Sequence, residues 1–130
     1  MSDNVREPPA SMETPGGGYS RSVSISRKDD AVIAMFLESR LDERTAPMFL
    51  GAVARILEQW PMVPLVLDLN QVMDMDSHGM TAIIQVFKQI LAGRRSLTIC
   101  GVNSRLQELF RITMLDQTLG AHYRPGQSLH

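Results

Sequence analysis

The chain has 130 residues, 44% of them apolar, a formal net charge of −1 and one cysteine, Cys100. That length supports a single domain with a self-sufficient core, and no apolar run approaches the ~18 residues of a membrane span. Basic and acidic side chains are mixed, which excludes the long-range field that nucleic-acid binding draws on. A lone cysteine excludes an internal disulfide and fits a reducing cytoplasm, and the start, Met1-Ser2-Asp3-Asn4, lacks the regions of a secretory signal.

Residues 1–20 hold Pro8-Pro9, Pro15 and Gly16-Gly17-Gly18 among polar residues. Too little apolar surface is present to offset ordering, so a disordered tail is expected. The glycine run is no phosphate loop, because no strand precedes it and no Gly-Lys-Ser/Thr closes it. From Ser22 the pattern turns regular. Ser22–Arg27 alternates, Ala31–Glu38 is apolar and branched, and Lys28-Asp29-Asp30 separates them, which predicts a hairpin. Thr45-Ala46-Pro47 opens a helix with Thr45 as its cap, and Phe49, Leu50, Val53, Ala54 and Leu57 recur at helical spacing. Pro61 and Pro64 end that unit. Leu65–Leu69 then reads as a strand buried on both faces.

A second helix begins near Ser77, with Met80, Ile83, Ile84, Phe87 and Leu91 as its stripe and Gly93 as its stop. Ser96–Cys100 supplies another strand, in which Cys100 reads as a small buried hydrophobe. Ser104-Arg105-Leu106-Gln107 matches a capping box, with Asn103 a competing cap, and Leu106, Leu109 and Phe110 give the third helix its apolar face. No element is expected in the last fifteen residues. The order β-β-α-β-α-β-α implies an α/β domain with parallel strand pairs. The expected boundaries are a tail at 1–20, a domain at 21–120 and a C-terminal tail at 121–130.

Chemistry concentrates where Leu65–Leu69 runs through Met75-Asp76-Ser77-His78-Gly79 into a helix. A hydroxyl at a helix start can cap it, accept a phosphoryl group, or attack a substrate. Local spacing alone favours a cap by Asp76 or Ser77. Nucleophilic catalysis is the weakest reading, since no Gly-x-Ser-x-Gly elbow surrounds Ser77 and His78 is merely adjacent in sequence. His78, His122 and His130 lack metal-ligand spacing, and no cofactor is implied.

Asp68-Leu69, Val72 and Met75-Asp76-Ser77-His78-Gly79-Met80-Thr81-Ala82-Ile83 resemble the signature of the STAS domain, a family that includes the bacterial anti-sigma factor antagonists. Arg40-Leu41-Asp42 resembles the family's Gly-x-Leu-Asp turn, with Ser39 in the place of the glycine. Leu97–Val102 and the helix through Leu106–Asp116 resemble its last strand and helix, and the likeness runs from about Ser22 to Leu119. Two further departures are His78, where a small residue is usual, and Met114, where a glycine is common. The resemblance implies a STAS-like single domain, a four- to five-stranded mixed sheet with helices on one face. It also implies a non-enzymatic binding protein that holds an anti-sigma factor with serine-kinase activity until phosphorylated, and a serine phosphatase that resets it. Ser77 is then the phosphoacceptor, Asp76 its orienting neighbour, and Asp42, Asp74, Met75, His78 and Met80 the surrounding contact surface, although core packing is the ordinary reading of Met75. The alternative is a STAS subunit of a stress-signalling complex or a cytoplasmic accessory of a membrane transporter.

Overall fold

The computed structural model describes residues 22–124; the expected tail at 1–20 and Pro125 onward lie outside the described residues. Its strands are β1 (Val23–Lys28), β2 (Ala31–Phe36), β3 (Arg40–Leu41), β4 (Leu65–Asp68), β5 (Asp74–Met75), β6 (Leu97–Cys100) and β7 (Tyr123–Arg124). The helices are α1 (Ala46–Gln59), α2 (Ser77–Ala92), α3 (Ser104–Ile112) and α4 (Leu115–Leu119), followed by a 3-10 turn at Gly120–His122.

Five strands form one mixed sheet in the order β1-β2-β4-β6-β7, and β3 pairs with β5 in a separate ribbon. The hairpin β1–β2 is antiparallel, and every other pair is parallel. Period-two alternation sets the faces: Val32, Ala34 and Phe36 are buried while Ala31, Ile33 and Met35 are half-buried. The helices pack on the buried face. Phe36 of β2 meets Phe49 of α1 edge-on at 5.3 Å between ring centroids, and Phe110 of α3 lies 5.3 Å from Tyr123 of β7. The opposite face stays partly open, so Val66 in β4 is half-buried, where burial on both sides was expected.

The caps differ from expectation in two places. Thr45 does precede α1, but its hydroxyl accepts from the Asp42 N–H at 2.9 Å and reaches back to the Arg40 carbonyl at 2.9 Å. It ties the entry loop together instead of capping the helix. At α3 the competitor wins: Asn103 Oδ1 accepts from the Leu106 N–H at 2.8 Å, and Gln107 donates to the Val102 carbonyl instead of closing a box. Asn103 also donates to the Val72 carbonyl at 3.0 Å, a bond that Ser104 one residue later does not make.

The fold continues beyond the expected boundary at 120. Tyr123 and Arg124 pair with Ile99 and Cys100, and His122 Nδ1 lies 3.0 Å from the Leu97 carbonyl oxygen. Pairing to the sheet edge, invisible to a local pattern, recruits this polar stretch. Cys100 is buried as expected, and burial beside the Asp68 carboxylate pushes its thiol up to about 11.

Candidate functional site

Strands β2, β4 and β6 run parallel, so the loops after them gather at one sheet edge, the position where α/β folds place binding sites. The ribbon knits two of these loops together. Arg40 pairs with Asp74 and Leu41 with Met75, and the Asp76 N–H donates to the Leu41 carbonyl at 3.3 Å. Ser39 accepts from the N–H groups of Met73 and Asp74 at 2.7 and 3.2 Å. It is not left-handed, so this turn works without glycine.

Asp76 is the cap of α2. Its Oδ1 accepts from the N–H groups of His78 at 2.9 Å and Gly79 at 3.1 Å. Ser77 therefore occupies the first helical position, is exposed, and its hydroxyl makes no hydrogen bond among the described residues. Gly79 is required by close approach, because a Cβ there would lie 2.2 Å from the Leu41 carbonyl oxygen and 2.7 Å from Met75 Cγ. The Asp-Ser-x-Gly spacing thus has a local physical account: a carboxylate cap, a free hydroxyl, and a bare backbone that lets the helix meet the ribbon.

Asp42 lies on the same rim. Its Oδ1 accepts from the backbone N–H groups of Arg44 and Thr45, and Oδ2 lies 3.3 Å from Arg40 Nε. The Thr45 N–H is the main cause holding this carboxyl below its ordinary value, with the Thr45 hydroxyl and Arg40 adding to it. Arg40 also reaches Asp74 Oδ2 at 3.8 Å, and Arg105 reaches Asp74 Oδ1 at 3.6 Å. His78 Nδ1 stands 3.6 Å from Asp76 Oδ2 with both side chains about half exposed, a pair of little energetic weight.

Asp42, Asp74 and Asp76 are half-buried, and Ser77 and His78 are exposed. Met80 is half-buried and packs against the core. Met75 does not belong to the contact surface: it is 7% exposed and lies under Gly79, because β5 turns it inward while Met73, two residues earlier, is 60% exposed. The rim is not purely acidic, since Arg40 and Arg105 answer two of its carboxylates, Asp42 and Asp74. Strand alternation carries the signal for Arg40, which falls on the same side as Asp42. Arg105 comes from the first turn of α3 and has no local signal.

Beside Ser77 a groove of about 360 Å³ opens between α1 and α2, lined by Glu43, Pro47, Leu50, His78, Thr81 and others. Among the described residues no group of three His, Cys, Asp or Glu is arranged to hold a metal.

The STAS domain model matches residues 24–126. The chain belongs to the STAS family. Over 98 residues it is 30% identical to the anti-sigma-B factor antagonist of Listeria monocytogenes, covering 75% of this chain and 85% of that protein. A crystal structure of an anti-sigma factor antagonist from Mycobacterium paratuberculosis superposes with a TM-score of 0.68 at 18% identity, covering 82% of this chain and 86% of that one. The phosphorylated form of the Bacillus cell fate determinant SpoIIAA gives 0.59 at 11% identity, covering 82% and 92%. The α/β STAS fold is the shared feature of these structures: a five-stranded mixed sheet with four helices here. No helix among the described residues is long and apolar enough to cross a membrane.

Proposed function

We propose that this STAS domain is an anti-sigma factor antagonist. It binds an anti-sigma factor with serine-kinase activity while Ser77 is unmodified and lets go when Ser77 is phosphorylated. The observation that carries this reading is the division of labour at the start of α2. Asp76 takes the amide donors, and Ser77 is left exposed with an uncommitted hydroxyl. Supporting it are the 30% identity with a protein named anti-sigma-B factor antagonist and the fold shared with the Bacillus cell fate determinant SpoIIAA in its phosphorylated form.

A phosphate adds about −1.5 to −2 charges and three acceptor oxygens. Helix amides often stabilise such a group, but here the Asp76 carboxylate already accepts from two of them. The phosphate of Ser77 therefore projects outward, beside Asp42, Asp74 and Asp76, with Arg40 and Arg105 only partly offsetting that charge. A partner seated on this rim meets a bulky dianion and must desolvate it. A loss of about 2–3 kcal/mol, or roughly 30- to 150-fold in affinity, is enough to reverse binding. We read the domain as a binding module, since Ser77 has no hydrogen-bonded base among the described residues, and place the cycle in the cytoplasm with a serine phosphatase to reset it.

The test is a titration of an anti-sigma factor from the source organism with two variants. Ser77→Ala should bind as tightly as the unmodified protein and resist phosphorylation, and Ser77→Asp should bind at least about 30-fold more weakly. Equal affinities for the two variants overturn the release mechanism.

A further inference from the structure

The groove beside Ser77 does not stop at the first turn of α2. A second opening of about 580 Å³, lined by Leu50, Gly51, Ala54, Gln85, Lys88 and Gln89, shares Leu50 and Gln85 with the first. Together they make one trough along α1 and α2, with Glu43 and Ser77 at one end and Lys88 at the other. Both helices start at the Ser77 end. The distance from Ser77 to Lys88 along α2 is ~16 Å, about three helical turns.

Two features suit this trough to another helix. The α1 wall is low, since Pro47, Gly51 and Ala54 are its exposed residues there. Gly51 lies inside α1, where glycine weakens a helix, and a Cβ at this position meets no atom within 4 Å. Packing within the described chain does not call for it. A bare backbone lets a partner approach closely. The charges at the two ends are opposite and unanswered: neither Glu43 nor Lys88 has an ion-pair partner among the described residues.

We propose that the α1–α2 trough seats an amphipathic helix of the protein partner, antiparallel to α1 and α2, with acidic residues in its first turn over Lys88 and basic residues in its last turn over Glu43. That polarity is also the one a helix dipole favours, and it opposes the dipoles of α1 and α2. Recognition by an apolar face in a groove follows the usual anchor spacing. The proposal rests on the reading of Ser77 only for naming the partner as the anti-sigma factor; it extends the contact three turns beyond the switch residue.

The probe is a helix-stapled peptide of about 14 residues, with glutamates in its first turn, leucines along one face and arginines in its last turn. It is titrated into the 15N-labelled full chain. Amide shifts should appear at Gly51, Ala54, Gln85 and Lys88. A peptide with the two charged turns exchanged should bind at least about 10-fold more weakly. Lys88→Glu leaves glutamates at both ends of the trough and should abolish that preference, and Gly51→Trp, whose Cβ meets no atom within 4 Å, should stay folded and lose the shifts. No shifts at these residues at about 1 mM peptide, or equal binding of both peptides, overturns the proposal. The assay contains neither kinase nor phosphate, so its failure leaves the Ser77 switch standing, and failure of the switch leaves a trough that still takes the helix.

Discussion

Asp76, Ser77 and Gly79 do different work within one turn of α2, and each is replaceable only at the expense of its own task. Gly79→Ala forces a Cβ to 2.2 Å from the Leu41 carbonyl oxygen, a backbone atom that cannot rotate away. Urea unfolding should show a loss of about 2–3 kcal/mol, the scale of overpacking a tight contact; an unchanged midpoint contradicts the packing described. Asp42 gives a pH-dependent prediction. Its folded pKa is lowered, chiefly by the Thr45 N–H, so its stabilisation is present above the ordinary carboxylate value of about 3.9 and lost as pH falls through the lower folded value. Asp42→Asn should therefore unfold at lower urea than the parent at pH 7, with the gap closing in acid. A gap that stays constant with pH removes the charge from the account. Much of this rim is legible in sequence, because a cap, a free serine and a close-approach glycine act within four positions. Met75 is not, since whether it faces in or out depends on β5 pairing with β3, a contact between distant segments.

At the scale of elements, periodicity locates α1, α2 and α3, while their ends depend on neighbours. Arg95 ties the end of α1 to the following loop by donating to the carbonyls of Leu57, Trp60 and Val63. No local pattern announces such a link. Gly93 does follow α2, but with φ −87°; Arg94 takes the left-handed position instead. Between α3 and α4 the chain needs a left-handed residue, and Met114, in place of a common glycine, adopts it with φ 62°. A side chain in that region costs roughly 1–2 kcal/mol, part of which glycine returns through the entropy of the unfolded chain. Met114→Gly should raise stability by about 1 kcal/mol in a denaturant titration; a loss shows that the half-exposed thioether contributes more than the backbone strain removes.

For the whole molecule, β-α alternation is enough to indicate an α/β sheet with parallel strand pairs. The C-terminal edge strand was not readable, because β7 is only two residues long and gains its place from pairing with β6. The same topology brings the start of α2 against the β3 end of the ribbon and leaves the α1–α2 trough running from Ser77 outward. The most direct test of the central claim is phosphosite mapping on protein isolated from its own cells, using the tryptic fragment Ile56–Lys88, which contains both Ser77 and Thr81. The account predicts phosphate on Ser77 in amounts that change with growth condition. Phosphate confined to Thr81, or none in any condition, contradicts it.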